Sequence, residues 1–257
     1  MVRETIAFVN QKGGVGKTTT AVSLAAALGR RGERVLLIDL DAQANATSAA
    51  GVADVPGPSI YEALMLEVEA KDCVVRVEDE QFDLLPATRE LSGAEVELAP
   101  AMAREQRLKN LIEPLADDYD WIFIDCPPSL GVLTVNALTA ATSVVIPVQC
   151  EYLPMEGLAS LMETLALVRN NLNPRLRTLG LVLTMLDRRT RLAREVAADV
   201  MTHFPRQTFT TVIPRAVSIA EAPSHGQSIF RYSPGSRAAT AYRRLAVELT
   251  ERVEVSA

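Results

Sequence analysis

What this chain of 257 residues lacks narrows it before any motif is read. Its three cysteines, Cys73, Cys126 and Cys150, lie far apart and make no C-x-x-C pair. That spacing argues against a metal or redox role and fits reduced, buried thiols in a cytoplasmic protein. No apolar stretch approaches the ~20 residues needed to span a bilayer. The N-terminus has no basic segment leading into a long apolar one, so no secretory signal is expected. Repeats and low-complexity tracts are absent too. There is no global excess of basic charge: 26 Lys and Arg against 32 Asp and Glu leave a net −6, which argues against a uniformly basic nucleic-acid binder. With 48% hydrophobic and 23% charged residues the chain has the composition of a folded domain rather than a disordered one.

The charge is unevenly spread. Between Arg169 and Arg215 there are nine arginines and three acids, a local +6 that leaves −12 for the rest. Such asymmetry speaks more directly about partners than the total does.

Residues 10–20, Asn10-Gln11-Lys12-Gly13-Gly14-Val15-Gly16-Lys17-Thr18-Thr19-Thr20, carry the strongest local signal. The apolar run Ile6–Val9 enters this stretch, and a helical pattern with Ala21, Leu24, Ala25 and Leu28 on one face leaves it. Strand, glycine-rich turn and helix aim backbone N–H groups and a helix N-terminus at a phosphate. Gly16-Lys17-Thr18 matches the end of a P-loop, with Lys17 placed for the β/γ-phosphates and Thr18 for Mg²⁺. The first glycine of that pattern is replaced by Gln11, and a second lysine, Lys12, follows it. On residue type alone Lys12 is either an exposed loop lysine or a second cation for the phosphates.

Two apolar runs end in carboxylates: Val35–Asp39, followed by Leu40 and Asp41, and Trp121–Asp125, followed by Cys126-Pro127-Pro128-Ser129. Both read as buried parallel strands. In open α/β sheets ligands sit beyond the carboxyl ends of the strands, which places Asp39, Asp41 and Asp125 on the rim that holds the P-loop. Asp125, about 110 residues after the P-loop, has the Walker B form, in which the Asp holds Mg²⁺, often through water. The plainer reading of Asp39 or Asp41 is a helix cap. Further strands are expected at Phe82–Pro86, Ser143–Val148, Leu179–Thr184 and Thr211–Arg215. Helices are expected at Ser59–Leu66, opened by a Ser59/Glu62 capping box, and across 88–116 with breaks at Pro100 and Pro114. Two more are expected, from Met155 to Asn170 and from Ser236 to Val253. Residues 42–48 read as a polar loop. Strands alternating with helices predict a single-domain, doubly wound, mainly parallel α/β sheet over residues 1–257, with no helix-turn-helix domain before the first strand.

Taken together, Lys12-Gly13-Gly14-Val15-Gly16-Lys17-Thr18, Asp39-Leu40-Asp41, Asp125-Cys126-Pro127-Pro128-Ser129, Ile213-Pro214-Arg215 and Glu221-Ala222-Pro223-Ser224 resemble the deviant Walker A ATPases of the ParA/MinD superfamily, and within it the ParA/Soj partitioning branch. The resemblance runs from about residue 3 to 250. It implies ATP and Mg²⁺ as cofactors and a weak, partner-stimulated ATPase. It also implies a homodimer formed with ATP, in which Lys12 reaches the partner's nucleotide. Gln11, Gly13, Gly14, Val15, Gly16, Lys17, Thr18 and Thr19 would surround the phosphates, with Met185 and Pro214 on the adenine side. Asp41 would orient the attacking water, Thr18 and Asp125 would serve the metal, and Asp39 would support it. Arg189 and Arg215 would bind double-stranded DNA without sequence preference, which is salt-sensitive phosphate contact; Arg188, Arg191 and Arg194 read equally well as a solvated helix face. A ParB-like partner would stimulate hydrolysis, and the protein would be cytoplasmic and nucleoid-associated, with no stable membrane attachment.

The chain departs from that branch at Ala42 and Ala44, where relatives carry Pro and Gly, and at Ala216 and Ser218, where they carry Asn and Arg. Two other readings remain open at this stage. One is a related ATPase that positions a different cargo, on the nucleoid or, in the manner of MinD, at a membrane; the acidic residues Glu248, Glu251 and Glu254 weigh against the membrane form. The other is an iron-protein-like reductase or an ATP-dependent amidoligase.

Overall fold

The computed structural model describes residues 3–151 and 155–256. Seven strands form one sheet: β1 (Glu4–Phe8), β2 (Val35–Asp39), β3 (Val75–Val77), β4 (Phe82–Leu85), β5 (Trp121–Asp125), β6 (Ser143–Gln149) and β7 (Arg177–Thr184). Their order is β3-β4-β2-β5-β1-β6-β7, and every neighbouring pair is parallel except β3 with β4.

Every residue of β1, β2 and β5 is buried. The reason is the strand period of two. Ala7, Leu36, Ile38, Ile122 and Ile124 point into one apolar core, while Ile6, Phe8, Val35, Leu37, Trp121 and Phe123 point into the other. Helices cover both faces. Over the second core lie α1 (Lys17–Gly29) and α2 (Asn45–Ala49). The first core is covered by α3 (Ile60–Leu64), α4 (Leu91–Leu98), α5 (Arg107–Ile112), α6 (Val132–Ala140), α7 (Met155–Asn171) and α8 (Arg191–His203). After α9 (Val217–Glu221) the chain returns to the second core through α10 (Ile229–Tyr232) and α11 (Arg237–Ser256). Tyr242, Leu245, Leu249 and Val253, the apolar stripe expected for the last helix, are all buried there.

Local signals hold at several ends. Ser59 Oγ accepts from the Tyr61 N–H at 3.2 Å, and the Glu62 carboxylate accepts from the Ser59 N–H at 2.8 Å, completing the capping box. α4 stops before Pro100, and Pro114 sits in a short 3₁₀ turn just after α5. Other expectations are corrected. Thr211–Arg215 is not a strand: its Ile213 N–H donates to the Leu183 carbonyl of β7 at 2.8 Å, and beyond that it makes one isolated bridge, between Pro214 and Leu186. Part of the expected polar loop at 42–48 is helix α2. Strand β3 and helix α6 were not anticipated; β3 is three residues long and exists only by pairing with β4.

Candidate nucleotide site and arginine-lined cleft

β1, β5 and β2 lie side by side, and their register sets Phe8 opposite Asp125 and Asp125 opposite Asp39. The loop after β1, the loop after β2 and Asp125 therefore share one edge of the sheet. Gly14 (φ +72°) and Gly16 (φ +88°) take left-handed backbone that a side chain would strain. Gly16 is also the N-cap of α1, so no side chain caps the helix, and its first N–H groups are left for another acceptor. Thr184, at the end of β7, donates its hydroxyl to the Val15 carbonyl at 2.8 Å and pins the middle of the loop.

Lys17 is 6% exposed, and its ammonium donates to the Lys12 carbonyl at 3.4 Å. Burial lowers its pKa, while Asp125, Cys126 and Asp41 act in the opposite sense. The two strand-end carboxylates differ sharply. Asp39 is fully buried and satisfied: one oxygen accepts from the Thr47 N–H and hydroxyl, both at 2.8 Å, and the other from the Asp41 N–H at 3.2 Å. Thr47 lies in the first turn of α2, so Asp39 does carry the helix-capping role. Burial nevertheless pushes its pKa up to about 6. Asp125 is equally buried, yet neither oxygen has a hydrogen-bond partner. Its pKa is raised well above the ordinary 3.8, first by burial and then by the Asp39 charge, with Thr18 and Lys17 opposing. A buried carboxylate without donors is matched to a cation that arrives with its own ligands. Among the described residues no cluster of three or more His, Cys, Asp or Glu could hold a metal.

Asp41 is half-buried and accepts from the Gln43 N–H at 3.0 Å. Lys12, Gly13 and Gly14 are exposed, and the Lys12 ammonium has no partner among the described residues. Gln11 donates to Ser160 on α7 at 3.1 Å. Met185 lies against the P-loop, its methyl 4.0 Å from where a Cβ on Gly16 would stand, and has φ +54°. A bulky residue in that region is an outlier of the kind found at functional sites.

Pro214, Arg189 and Arg215 line a cleft of about 830 Å³, together with Arg188, Arg237 and Arg244. Arg237 and Arg244 come from the first two turns of α11 and escaped the sequence reading, which weighed that helix for its apolar stripe alone. Five arginines thus face one cleft whose lining includes a single acid, Asp187. Arg189 grips Asp187 with two hydrogen bonds of 2.9 and 2.8 Å and holds its carboxyl down at about 2. Arg191 pairs with Glu195 along α8 and does not line the cleft.

All three cysteines are buried and free. Burial pushes the thiols of Cys73 and Cys150 up to about 11, and burial with the nearby Asp125 raises that of Cys126 well above its ordinary value.

Comparisons with known proteins agree with this geometry. Residues 3–178 match a family described as an AAA domain, AAA_31. The chain is 53% identical over 250 residues to the chromosome-partitioning ATPase Soj of Thermus thermophilus, covering 97% of this chain and 96% of that one. It is 51% identical over 246 residues to the sporulation initiation inhibitor protein Soj of Bacillus subtilis, covering 95% and 97%. Among solved structures, cobyrinic acid a,c-diamide synthase from Mycobacterium smegmatis with bound ATP analogue and magnesium superposes with a TM-score of 0.88 at 39% identity, covering 100% of this chain and 98% of that one. With a deviant P-loop, two strand-end carboxylates on its rim and full-length similarity to the Soj proteins, the chain belongs to the Soj/ParA family of chromosome-partitioning ATPases.

Proposed function

We propose that this protein is an ATP-timed DNA-partitioning switch: it binds Mg²⁺–ATP, dimerises, holds DNA without sequence preference, and lets go after hydrolysis stimulated by a ParB-like partner. The observation that carries the reading is that buried Lys17 and an unsatisfied, buried Asp125 stand on the same rim as Lys12, whose ammonium has no partner among the described residues. Gly13 to Thr19 would wrap the phosphates with backbone N–H groups, and Lys17 would neutralise the β/γ-phosphates. Thr18 and Asp125 would hold Mg²⁺, which supplies charge neutralisation at the phosphates. Asp39 keeps its oxygens on Thr47 and Asp41, so its contribution is to hold the loop that carries Asp41. Asp41, at the rim, orients the attacking water. Lys12, without a side-chain partner among the described residues, reaches the nucleotide of a second copy, where an added cation stabilises developing charge as an arginine finger does. Met185 and Pro214 flank the adenine side.

Arg189 and Arg215 are the DNA contacts, set in a cleft whose charge suits a phosphate backbone. The site of action is then the nucleoid in the cytoplasm. No described helix is long and apolar enough to cross a membrane, and the acidic end of α11 disfavours a basic surface anchor. The decisive experiment is DNA binding with ADP and with ATP across a salt series. Tight, steeply salt-dependent binding with ATP alone is expected; equal binding with both nucleotides defeats the switch.

A second reading, ATP-dependent amide synthesis, draws on the name of the Mycobacterium smegmatis structure at 39% identity, against 53% for a Soj protein. ATP turnover that requires glutamine and a carboxylic acid substrate, and ignores DNA and a ParB-like protein, would favour it.

A further inference from the structure

The signature lysine sits in an exposed loop, yet its backbone is tied on both sides. Its N–H donates to Asn10 Oδ1 at 3.0 Å, and its carbonyl accepts from the Lys17 ammonium at 3.4 Å. Asn10 is anchored in turn: its Nδ2 donates to the Pro147 carbonyl at 2.7 Å. The position of Pro147 explains why that carbonyl is available. The last bond between β1 and β6 runs from the Val9 N–H to the Val145 carbonyl, at 3.2 Å. Alternate carbonyls along a strand point the same way, so the Pro147 carbonyl faces the space beyond the end of β1, where no backbone donor follows. Proline at that position has no N–H of its own to satisfy on that side. The Asn10 side chain fills the gap as if it were one more strand residue, and uses its other end on Lys12. A carboxamide has both a donor and an acceptor to offer; a carboxylate has no donor, and a hydroxyl is too short to span the two groups.

We propose that Asn10 is a positioning residue for Lys12, joining the loop at that lysine to the rigid end of β6 so that its ammonium is presented outward for the nucleotide of a second copy. This rests on the reading of Lys12 as the cation that acts across the dimer. It assigns a task to a residue outside the phosphate-binding run, and it separates two functions within one loop. The Gly13–Thr19 segment with Lys17 serves the nucleotide of its own chain, whereas Asn10 with Lys12 serves that of the partner.

The test uses the full chain as Asn10→Ala, Lys12→Ala and the double variant. Binding of a fluorescent ATP analogue to the monomer is compared with Mg²⁺–ATP-dependent dimerisation by light scattering. Asn10→Ala is expected to weaken dimerisation about tenfold, the scale of two lost hydrogen bonds, while nucleotide affinity changes less than about threefold. Added to Lys12→Ala, it is expected to weaken dimerisation no further, since residues acting as one unit are non-additive. A full additional loss in the double variant, or equal losses of nucleotide binding and dimerisation, overturns the assignment, because general damage to the loop does both. If Asn10→Ala does not fold, Asn10→Asp keeps an acceptor for the Lys12 N–H, drops the donor to Pro147, and meets the same criterion. Wild-type dimerisation by Lys12→Ala defeats the reading of Lys12 itself; loss in Lys12→Ala with none in Asn10→Ala defeats the role of Asn10 alone.

Discussion

Arg215 Nη1 lies 2.6 Å from Glu151 Oε1, an ion pair that joins the cleft to the residue just beyond the end of β6. Both side chains are substantially exposed, 64% and 41%, so the pair is weak and easily exchanged for a phosphate. Arg189 is held in the same manner by Asp187. Both arginines proposed to contact DNA are therefore already engaged by carboxylates, which DNA would have to displace.

Glu151→Gln is accordingly expected to raise DNA affinity about two- to fivefold, the scale of one exposed ion pair. Arg189→Glu is expected to abolish DNA binding while leaving ATP binding intact. Fluorescence anisotropy with a short duplex at low salt measures both. Retention of Arg189→Glu on DNA, or no change in Glu151→Gln, would contradict the placement of the DNA in this cleft.

The two P-loop lysines predict different losses. Lys17 is buried against Asp125, so Lys17→Ala should lose both nucleotide binding and hydrolysis. Lys12 is exposed and free, so Lys12→Ala should keep nucleotide binding and lose dimerisation or hydrolysis. Calorimetric titration with an ATP analogue, set beside a phosphate-release assay, separates the two. Asp41→Ala should leave an ATP-bound dimer that does not turn over.

Asp125 ties nucleotide chemistry to stability. Its pKa in the folded chain is raised well above 3.8 by burial, so the folded state holds a proton that the unfolded state releases. The sign follows: protonated Asp125 costs nothing below about pH 4, and its ionisation opposes folding progressively as the pH rises toward neutrality. Asp125→Asn, free of that cost, should melt above the wild type without nucleotide, by a margin that widens as the pH rises above about 4. With Mg²⁺–ATP the order should reverse, because the variant loses a ligand for the metal. Thermal melts at several pH values, with and without Mg²⁺–ATP, test this; a margin independent of pH would show that Asp125 is not an unsatisfied ion.

Ala44 occupies left-handed backbone, φ +51° and ψ +37°, at a position where glycine is expected in the family. An L-residue there carries about 1 kcal/mol of strain. Ala44→Gly should stabilise the fold by about that amount, read as a rise in Tm of roughly 2–4 °C. The released loop carries Asp41 at its start, so a changed hydrolysis rate with unchanged nucleotide affinity is expected alongside. An unchanged or lowered Tm would mean that the loop relaxes around alanine without cost.

Much of the site was legible because its signals are local. Glycines at 14 and 16 permit a backbone that other residues resist, and a helix starting at Lys17 follows from the periodicity after it. Val35–Asp39 and Trp121–Asp125 announce buried strands by unbroken apolar runs. Short or irregular pieces were not legible: β3 is held by its partner strand, and Thr211–Arg215 has strand composition but makes only one isolated bridge. Polar residues at 42–48 hid a helix whose start depends on Asp39, a residue outside it.

By itself the sequence determined the glycine-rich turn between β1 and α1, the long buried strands in their order along the chain, and the presence of carboxylates at two strand ends, since each follows from the conformational preferences of neighbouring residues. Only the tertiary structure decided which carboxylate is free. Asp39 and Asp125 end near-identical runs, but Thr47 folds back onto one, whereas among the described residues no hydrogen bond closes on the oxygens of the other. The tertiary structure also brought Arg237 and Arg244 from the last helix to the cleft of Arg189 and Arg215, and set the Pro147 carbonyl where Asn10 can hold it. Desolvation and hydrogen-bond partnership are properties of the packed neighbourhood, whose members lie from 8 residues away, as Thr47 does from Asp39, to 137, as Pro147 does from Asn10.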